Sequence, residues 1–309
     1  MAKKKKSNVE IIIVNRNEQL LEWTIENVKR TVKDASITVV HDGLQDRKYS
    51  LDDDVNVIIP APIPVGVSFC RDAGIMQSDA DYIVLLDAHM SMAEGWLDVM
   101  IKDLTDDETR IVCTKSNVVY NNDRDKVLRV RSGARMKMGI GQLPLEPEWI
   151  DCSPGVIPLV LGGCYALSRK RYIEIGRPWK IAVGWGSSEP VISLVNWFMC
   201  GECYMSDCAT THVYRDKDQP PYQIDDHFKI GNIYNRLRAI ALLNTEHTVE
   251  LQRYYLSRTV SNKLIYNKAV ELYKSSMSYD KELISNYKRS FNEWQSEFYP
   301  KLQLKRCLS

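Results

Sequence analysis

Between Asp81 and Trp96 the chain reads Asp-Tyr-Ile-Val-Leu-Leu-Asp-Ala-His-Met-Ser-Met-Ala-Glu-Gly-Trp, and this stretch constrains the fold more than any other. Tyr82 to Leu86 is a short, uninterrupted apolar run with β-branched members, the pattern of a strand buried on both faces within an α/β sheet. The run stops abruptly at Asp87 and His89. Residues two apart on an extended chain project to the same side, so a carboxylate and an imidazole emerge together from the end of a buried strand. Open α/β sheets bind ligands at the carboxyl ends of their strands, which makes the pair a candidate for a divalent metal. A capping aspartate beside an incidental histidine is the alternative, and for an isolated Asp-x-His it is the better one. The rest of the chain has to decide.

The same punctuation recurs along the sequence. Val9 to Val14 reads as a buried strand closed by Asn15-Arg16-Asn17-Glu18, with Asn17 placed to cap a helix whose apolar positions are Leu21, Ile25 and Val28. Ile37 to Val40 and Val55 to Ile59 read as the next strands, ended by His41-Asp42-Gly43 and Pro60-Ala61-Pro62. A helix over Gly66 to Ser78 has Arg71 as its only cation. After His89 comes a helix with Leu97, Met100, Ile101 and Leu104 on one face, then a strand from Arg110 to Thr114. This alternation predicts an α/β fold with a mostly parallel central sheet flanked by helices. Residues 115–157, with three prolines and Gly139-Ile140-Gly141, read as an irregular excursion over the site.

Regularity returns at Pro158 to Leu167, where the Gly162-Gly163 pair implies close backbone approach to a ligand or to another strand. A helix from Arg169 to Ile175 follows. The loop Gly184-Trp185-Gly186-Ser187-Ser188-Glu189-Pro190 then leads into a helix through Val191, Val195 and Phe198, with Pro190 in its first turn. A strand over Tyr204 to Ala209 delivers His212, Tyr214 and Arg215. Beyond it, Pro220-Pro221-Tyr222 makes a loop, and Asp226 to Leu243, Thr248 to Ser276 and Lys281 to Phe298 read as helices. The expected organisation is a basic tail over 1–8, an α/β domain over 9–245 and a helical C-terminal appendage over 246–309.

With 41 Lys+Arg against 40 Asp+Glu, no global charge announces a nucleic-acid or membrane-surface protein. The chain has no apolar run of about 18 residues and no signal core behind Lys3 to Lys6, so a cytoplasmic protein without a membrane span is expected. In that setting the eight cysteines are expected to be reduced thiols. Cys200, Cys203 and Cys208 with His212 have the spacing of a small zinc site, buried structural thiols being the preferred reading.

Taken in order, these landmarks resemble the catalytic domain of the polypeptide N-acetylgalactosaminyltransferases and their GT-A relatives. Leu85-Leu86-Asp87-Ala88-His89 with Gly95-Trp96-Leu97 is similar to that family's metal-binding Asp-x-His segment and the helix behind it. Gly162-Gly163 with Arg169 and Glu174-Ile175-Gly176 resembles its acceptor-side strand and helix. Trp185-Gly186 stands where the family has Trp-Gly-Gly-Glu-Asn, Ser193 and Trp197 keep the spacing of the next helix, and His212-Val213-Tyr214-Arg215 resembles His-Val-Phe-Arg. The resemblance spans roughly Val9 to Arg215. It implies a GT-A fold, a UDP-sugar donor, Mn²⁺ or another divalent cation, and transfer of the sugar to an acceptor hydroxyl with retention.

Residue by residue, the resemblance implies Asp87, His89 and His212 as metal ligands and Arg71 beside the diphosphate. It puts Asp42 near the uracil, Asn15 and Gly163 at the donor site, and Trp185 at the sugar pocket. The loop departs from the family in register: an ungapped reading puts Ser188 at the family's glutamate, and one inserted residue restores Glu189, which is expected to face the sugar.

The residue types suit the chemistry. A nucleotide diphosphate leaving group gains negative charge as the anomeric C–O bond breaks, and a divalent cation with Arg71 would stabilise it. Mixed oxygen and nitrogen ligation fits Mn²⁺ better than Mg²⁺ or Ca²⁺. The acceptor is open among a protein, a glycan and a hydroxylated DNA base. A rival function is an inactive nucleotide-sugar-binding or zinc-stabilised interaction protein, which the altered Gly-Ser-Ser-Glu-Pro loop keeps in view. In the C-terminal third, cations such as Arg253, Arg258, Lys288 and Arg289 interleave with Tyr254, Tyr255, Tyr266, Tyr273, Tyr287 and Trp294. That composition suits either a nucleic-acid surface or an ordinary helical face, and interspersed acids favour the second.

Overall fold

Val9–Asn15 forms β1, and its apolar run explains why it lies in the middle of the molecule: Ile11, Ile12 and Ile13 are wholly buried. Alternation sends Ile12 into one hydrophobic layer and Ile11 and Ile13 into the other. The computed structural model describes residues 8–139, 141–215, 224–259 and 262–303. The lysine tract, Ile140, the Pro220-Pro221-Tyr222 loop, Lys305, Arg306 and Cys307 lie outside the described residues.

In chain order the elements that follow are α1 (Leu21–Thr31), β2 (Ser36–His41), β3 (Val55–Ile58), α2 (Val67–Gln77), β4 (Tyr82–Asp87), β5 (Met90–Met92) and α3 (Trp96–Asp106). Then come β6 (Arg110–Tyr120), β7 (Arg129–Arg131), β8 (Ala134–Met136), β9 (Pro147–Trp149), β10 (Gly155–Ile157), β11 (Cys164–Ser168), α4 (Arg169–Glu174), α5 (Ser188–Phe198) and β12 (Glu202–Tyr214). The last are α6 (Asp226–Leu242), α7 (Thr248–Thr259), α8 (Lys263–Ser285) and α9 (Phe291–Phe298).

The central sheet runs β10-β12-β6-β11-β4-β1-β2-β3. From β4 to β3 it is parallel throughout, and β12 is parallel to β6. The strand β11 enters antiparallel between β4 and β6. Register aligns the strand ends: Val14 pairs with Asp87 and Asn15 with His41, so polar groups emerge along one edge. Helices α1 and α3 cover one face. The other face packs against α2, α4, α5 and the C-terminal helices.

Several boundaries differ from the sequence reading. Helix α1 starts at Leu21 without a side-chain cap, because Asn17 adopts a left-handed φ of 55° and its Oδ1 accepts from the backbone N–H of Asp46 at 2.9 Å. β6 continues through Tyr120, since Ser116 to Tyr120 pair with Thr210 to Tyr214 of β12. The supposed excursion therefore begins as strand and contains four short strands. β11 begins only at Cys164, because Gly163 at φ +100° breaks the extended chain. The long C-terminal helices divide at Asn262, which caps α8, and at Ser290, which forms a capping box with Glu293.

Helices α7 to α9 join the main core through Leu251, Tyr255, Ile265, Ala269, Tyr273, Leu283, Phe291 and Trp294. Tyr255, Tyr273 and Trp294 are thus packing residues and not exposed stacking platforms. No helix among the described residues is long and apolar enough to cross a membrane. Arg238 of α6 and Asp280 of α8 form an ion pair at 2.8 Å with side chains 0% and 1% exposed. Removing one partner of such a pair leaves an uncompensated buried charge. Asp280→Ala is expected to cost about 3–5 kcal/mol in denaturant unfolding. A loss below about 1 kcal/mol, the range of an exposed pair, would show that the appendage is not clamped there.

Candidate active site

Three backbone ladders bring the metal-ligating candidates together. Asp87 closes β4, and its backbone N–H donates to the Gly163 carbonyl at 2.9 Å. His89 lies in the turn before β5, with its carbonyl accepting from the Val213 N–H at 3.0 Å. His212 sits within β12 opposite Met90 of β5, not beyond the strand as its spacing suggested. One ligand atom from each of Asp87, His89 and His212 lies within 4.8 Å of the others. His212 Nε2 is 3.5 Å from Asp87 Oδ2, and the two imidazoles meet edge to face at 4.7 Å.

The electrostatics suit a cation. Burial pushes the Asp87 carboxyl up, but His212, Arg71 and His89 outweigh burial and hold it well below the carboxylate range. Burial pushes the His212 imidazole down, which keeps it neutral with a lone pair to give. His89 Nδ1 has no hydrogen-bond partner and stands 3.7 Å from Glu18 Oε2, a carboxylate placed to orient the ring.

Among the described residues this is the one group of three or more His, Cys, Asp or Glu that converges, which removes the zinc reading of the cysteines. A shift in register between Met205 and Ala209 separates them. Cys203 packs into the core on one face of the sheet and Cys208 against the core on the other, while Cys200 is exposed.

Arg71 of α2 ties the triad to the neighbouring carboxylate. Its guanidinium is 3% exposed and donates to Asp87 Oδ1 at 3.1 Å, Glu189 Oε1 at 3.2 Å and the Tyr165 hydroxyl at 2.7 Å. Nothing in the sequence marked Tyr165 as its partner. Glu189, in the first turn of α5, points toward Gly162, where an added Cβ would stand 3.3 Å from Oε1. The Ser188 hydroxyl instead meets that of Ser68 in the core, and its carbonyl accepts from Trp179 Nε1 at 3.0 Å. Both residues line the cavity, and of the two Glu189 is the one whose side chain meets Arg71.

Two cavities meet at this point. One, of about 340 Å³, is lined by Arg16, Asp42, Gly66, His89 and Arg215. The other, of about 300 Å³, is lined by Arg71, Gly163, Glu189 and His212. Both include Val67, Asp87 and Trp185. A larger cavity of about 670 Å³ beside Asn244 to His247 and α9 has no such cluster. Trp185 is half-exposed and stacks on Phe228 at 5.3 Å. Asp42 is buried and accepts from the N–H groups of Val65 and Gly66 at 2.6 and 2.9 Å, which anchors the loop before α2. Asn15 lines neither cavity. It is fully buried, bonds to His41 Nδ1 at 2.9 Å and Gln45 Oε1 at 3.1 Å, and organises the turn after β1.

The sequence profile described as Glycosyl transferase family 2 matches residues 9–174, more than half of the chain. The chain belongs to glycosyl transferase family 2. Within curated members, N-acetylgalactosaminyltransferase 6 of Drosophila melanogaster is 25% identical over 164 residues, 51% of this chain and 25% of that protein. Human polypeptide N-acetylgalactosaminyltransferase 10 is 25% identical over 167 residues, 52% of this chain and 27% of that protein. The match thus spans about a quarter of each relative. The crystal structure of GalNAc-T7 with UDP, GalNAc and Mn²⁺ superposes with a TM-score of 0.71 at 18% identity, covering 98% of this chain and 59% of that one. S. aureus TarS 1-349 in complex with UDP-GlcNAc gives 0.50 at 10% identity, covering 94% and 93%. The family 2 chain shares their GT-A fold.

Gly163 packs closely against His212. Its φ of +100° excludes other residues without strain, and an added Cβ would meet His212 Cδ2 at 2.9 Å. Gly163→Ala is expected to cost about 1–3 kcal/mol in denaturant unfolding. Gly162→Ala, which meets only the Glu189 carboxylate at 3.3 Å, should cost less. Equal losses would contradict this placement.

Proposed function

We propose that this family 2 chain transfers a sugar from a UDP-sugar to an acceptor hydroxyl, with retention, at a divalent-metal site made by Asp87, His89 and His212. The observation that carries the reading is the convergence of those three side chains where the two cavities join. GalNAc-T7, which shares the fold, was crystallised with UDP and Mn²⁺, and TarS with UDP-GlcNAc. The donor set fits Mn²⁺: one ionised carboxylate and two imidazoles, with a buried Nδ1 on His212 that has no hydrogen-bond partner. When bound, the cation supplies charge stabilisation to the departing diphosphate.

The chain's own groups fill the remaining roles. The cavity with Asp42, Arg16 and Arg215 receives the nucleotide, and the cavity with Gly163, Trp185 and Glu189 receives the sugar. Arg71 retains a buried Nε–H without a partner, a donor available to a substrate oxygen. Glu189 lends negative charge to an oxocarbenium-like sugar. Asp87 and Glu189 are the only carboxylates among the described lining residues of that cavity, and Arg71 engages both. Both are ion-paired with Arg71, and this reading uses neither as a separate base for the acceptor's proton. In this reading a leaving phosphate oxygen would take the acceptor's proton on the face from which it departs, which would retain the anomeric configuration.

A protein or glycan hydroxyl is the acceptor this reading favours. The hydroxylated-base alternative loses support because Tyr255, Tyr273 and Trp294 are buried. The altered loop does not argue for an inactive binding protein either, since α5 carries Glu189 into the cavity. The test is UDP release from a panel of UDP-sugars with Mn²⁺, with and without acceptors. Glu189→Gln should lower turnover by about a hundredfold while UDP-sugar affinity changes little, the signature of an interaction made in the transition state. Wild-type turnover in Glu189→Gln would sink its role, and no UDP release from any donor would sink the activity.

A further inference from the structure

The sugar cavity has an excess of buried positive charge that donor binding does not explain. Besides Arg71, which two carboxylates engage, it is lined by Arg131 of β7 and Arg236 of α6. Arg131 is 8% exposed. Its guanidinium lies over the rings of Trp149 at 4.0 Å and Tyr214 at 5.0 Å, donates to the Tyr214 hydroxyl, and keeps a buried Nε–H with no partner. Arg236 is partly buried and donates to the Pro144 carbonyl at 3.1 Å.

Among the described residues, neither arginine has a carboxylate in ion-pairing range. Glu146, the acid whose charge reaches Arg236, pairs with Lys137 at 2.9 Å, and Glu148 pairs with Arg135 at 2.7 Å. An arginine cannot shed its charge to relieve burial, and its planar fork matches carboxylate and phosphate. Two tryptophans, Trp149 and Trp185, are 42% and 48% exposed and line the same cavity, offering amphipathic rings to a saccharide.

We propose that this cavity receives a saccharide bearing a carboxylate or phosphate, and that Arg131 and Arg236 bind its anionic group. The inference rests on the assignment of this cavity to the sugar and names the class of sugar it takes. The nucleotide cavity is lined by neither arginine and has Arg16 and Arg215 instead.

Isothermal titration on the full chain separates the sources. One arm compares UDP-glucuronate with UDP-glucose, as donors. The other compares methyl glucuronide and glucose 6-phosphate with methyl glucoside, as acceptors, with and without UDP and Mn²⁺. In at least one arm the charged ligand should bind about tenfold tighter or more, as a charge-assisted contact provides. The preference should vanish in Arg131→Gln/Arg236→Gln with UDP binding retained. Arg131→Lys, which keeps the charge, and the single Arg236→Gln should each keep part of it, so a folding defect in the double variant would not hide the result. Equal binding of charged and neutral ligands, or a preference that survives the double substitution, overturns the proposal. A loss of UDP affinity in Arg236→Gln would also overturn it, by making the arginine a diphosphate contact. If the wild type binds no UDP yet still discriminates the acceptor probes, the donor reading falls and this one stands.

Discussion

One buried guanidinium holds the candidate site together. Arg71 reaches from α2 to Asp87 at the end of β4, to Glu189 at the start of α5 and to Tyr165 on β11. Burial disfavours its charge, and Tyr165, Glu189 and Asp87 more than restore it, so its pKa rises. Breaking that arrangement would strand a charge in the interior, which is why the two carboxylates are fixed in one geometry.

Around this centre, backbone pairing places the ligating groups. The parallel strands end in register, so Asp87 emerges on the same edge as Asn15 and His41. β5 is three residues long, yet its pairing with β12 sets His212 opposite Met90 and thereby beside His89. Gly163 lets β11 start late and lets the imidazole come close. These are rigid elements, and precise chelation by side chains requires such support. The C-terminal helices contribute from behind: Asn235 of α6 donates to the Val183 carbonyl at 2.7 Å, and Phe228 stacks on Trp185.

Much of the centre was legible in the sequence because its residues sit where local patterns change. Asp87 and His89 end an apolar run, and Glu189 precedes a proline that opens a helix. Ordered landmarks then brought His212 to the same place from more than a hundred residues away. What escaped notice depends on partners and not on pattern. β6 looked short because Ser116 to Tyr120 are less regularly apolar, and only their pairing with β12 makes them strand. The spacing of Cys203 and Cys208 suggested convergence, whereas a register shift puts them against opposite cores. Arg131 gave no signal at all, since what sets it apart is a buried Nε–H that finds no partner among the described residues. The C-terminal tyrosines illustrate the same limit: stacking surface and packed core share one composition, and burial alone tells them apart.

The central claim is that Asp87, His89 and His212 hold one divalent ion. Pulsed electron-nuclear spectroscopy of Mn²⁺ added to the full chain with UDP tests it most directly, because it reports nitrogen nuclei bonded to the metal. The account predicts couplings from two imidazole nitrogens in the wild type and from one in His212→Ala. A spectrum without nitrogen coupling, or one that His212→Ala leaves unchanged, would contradict it.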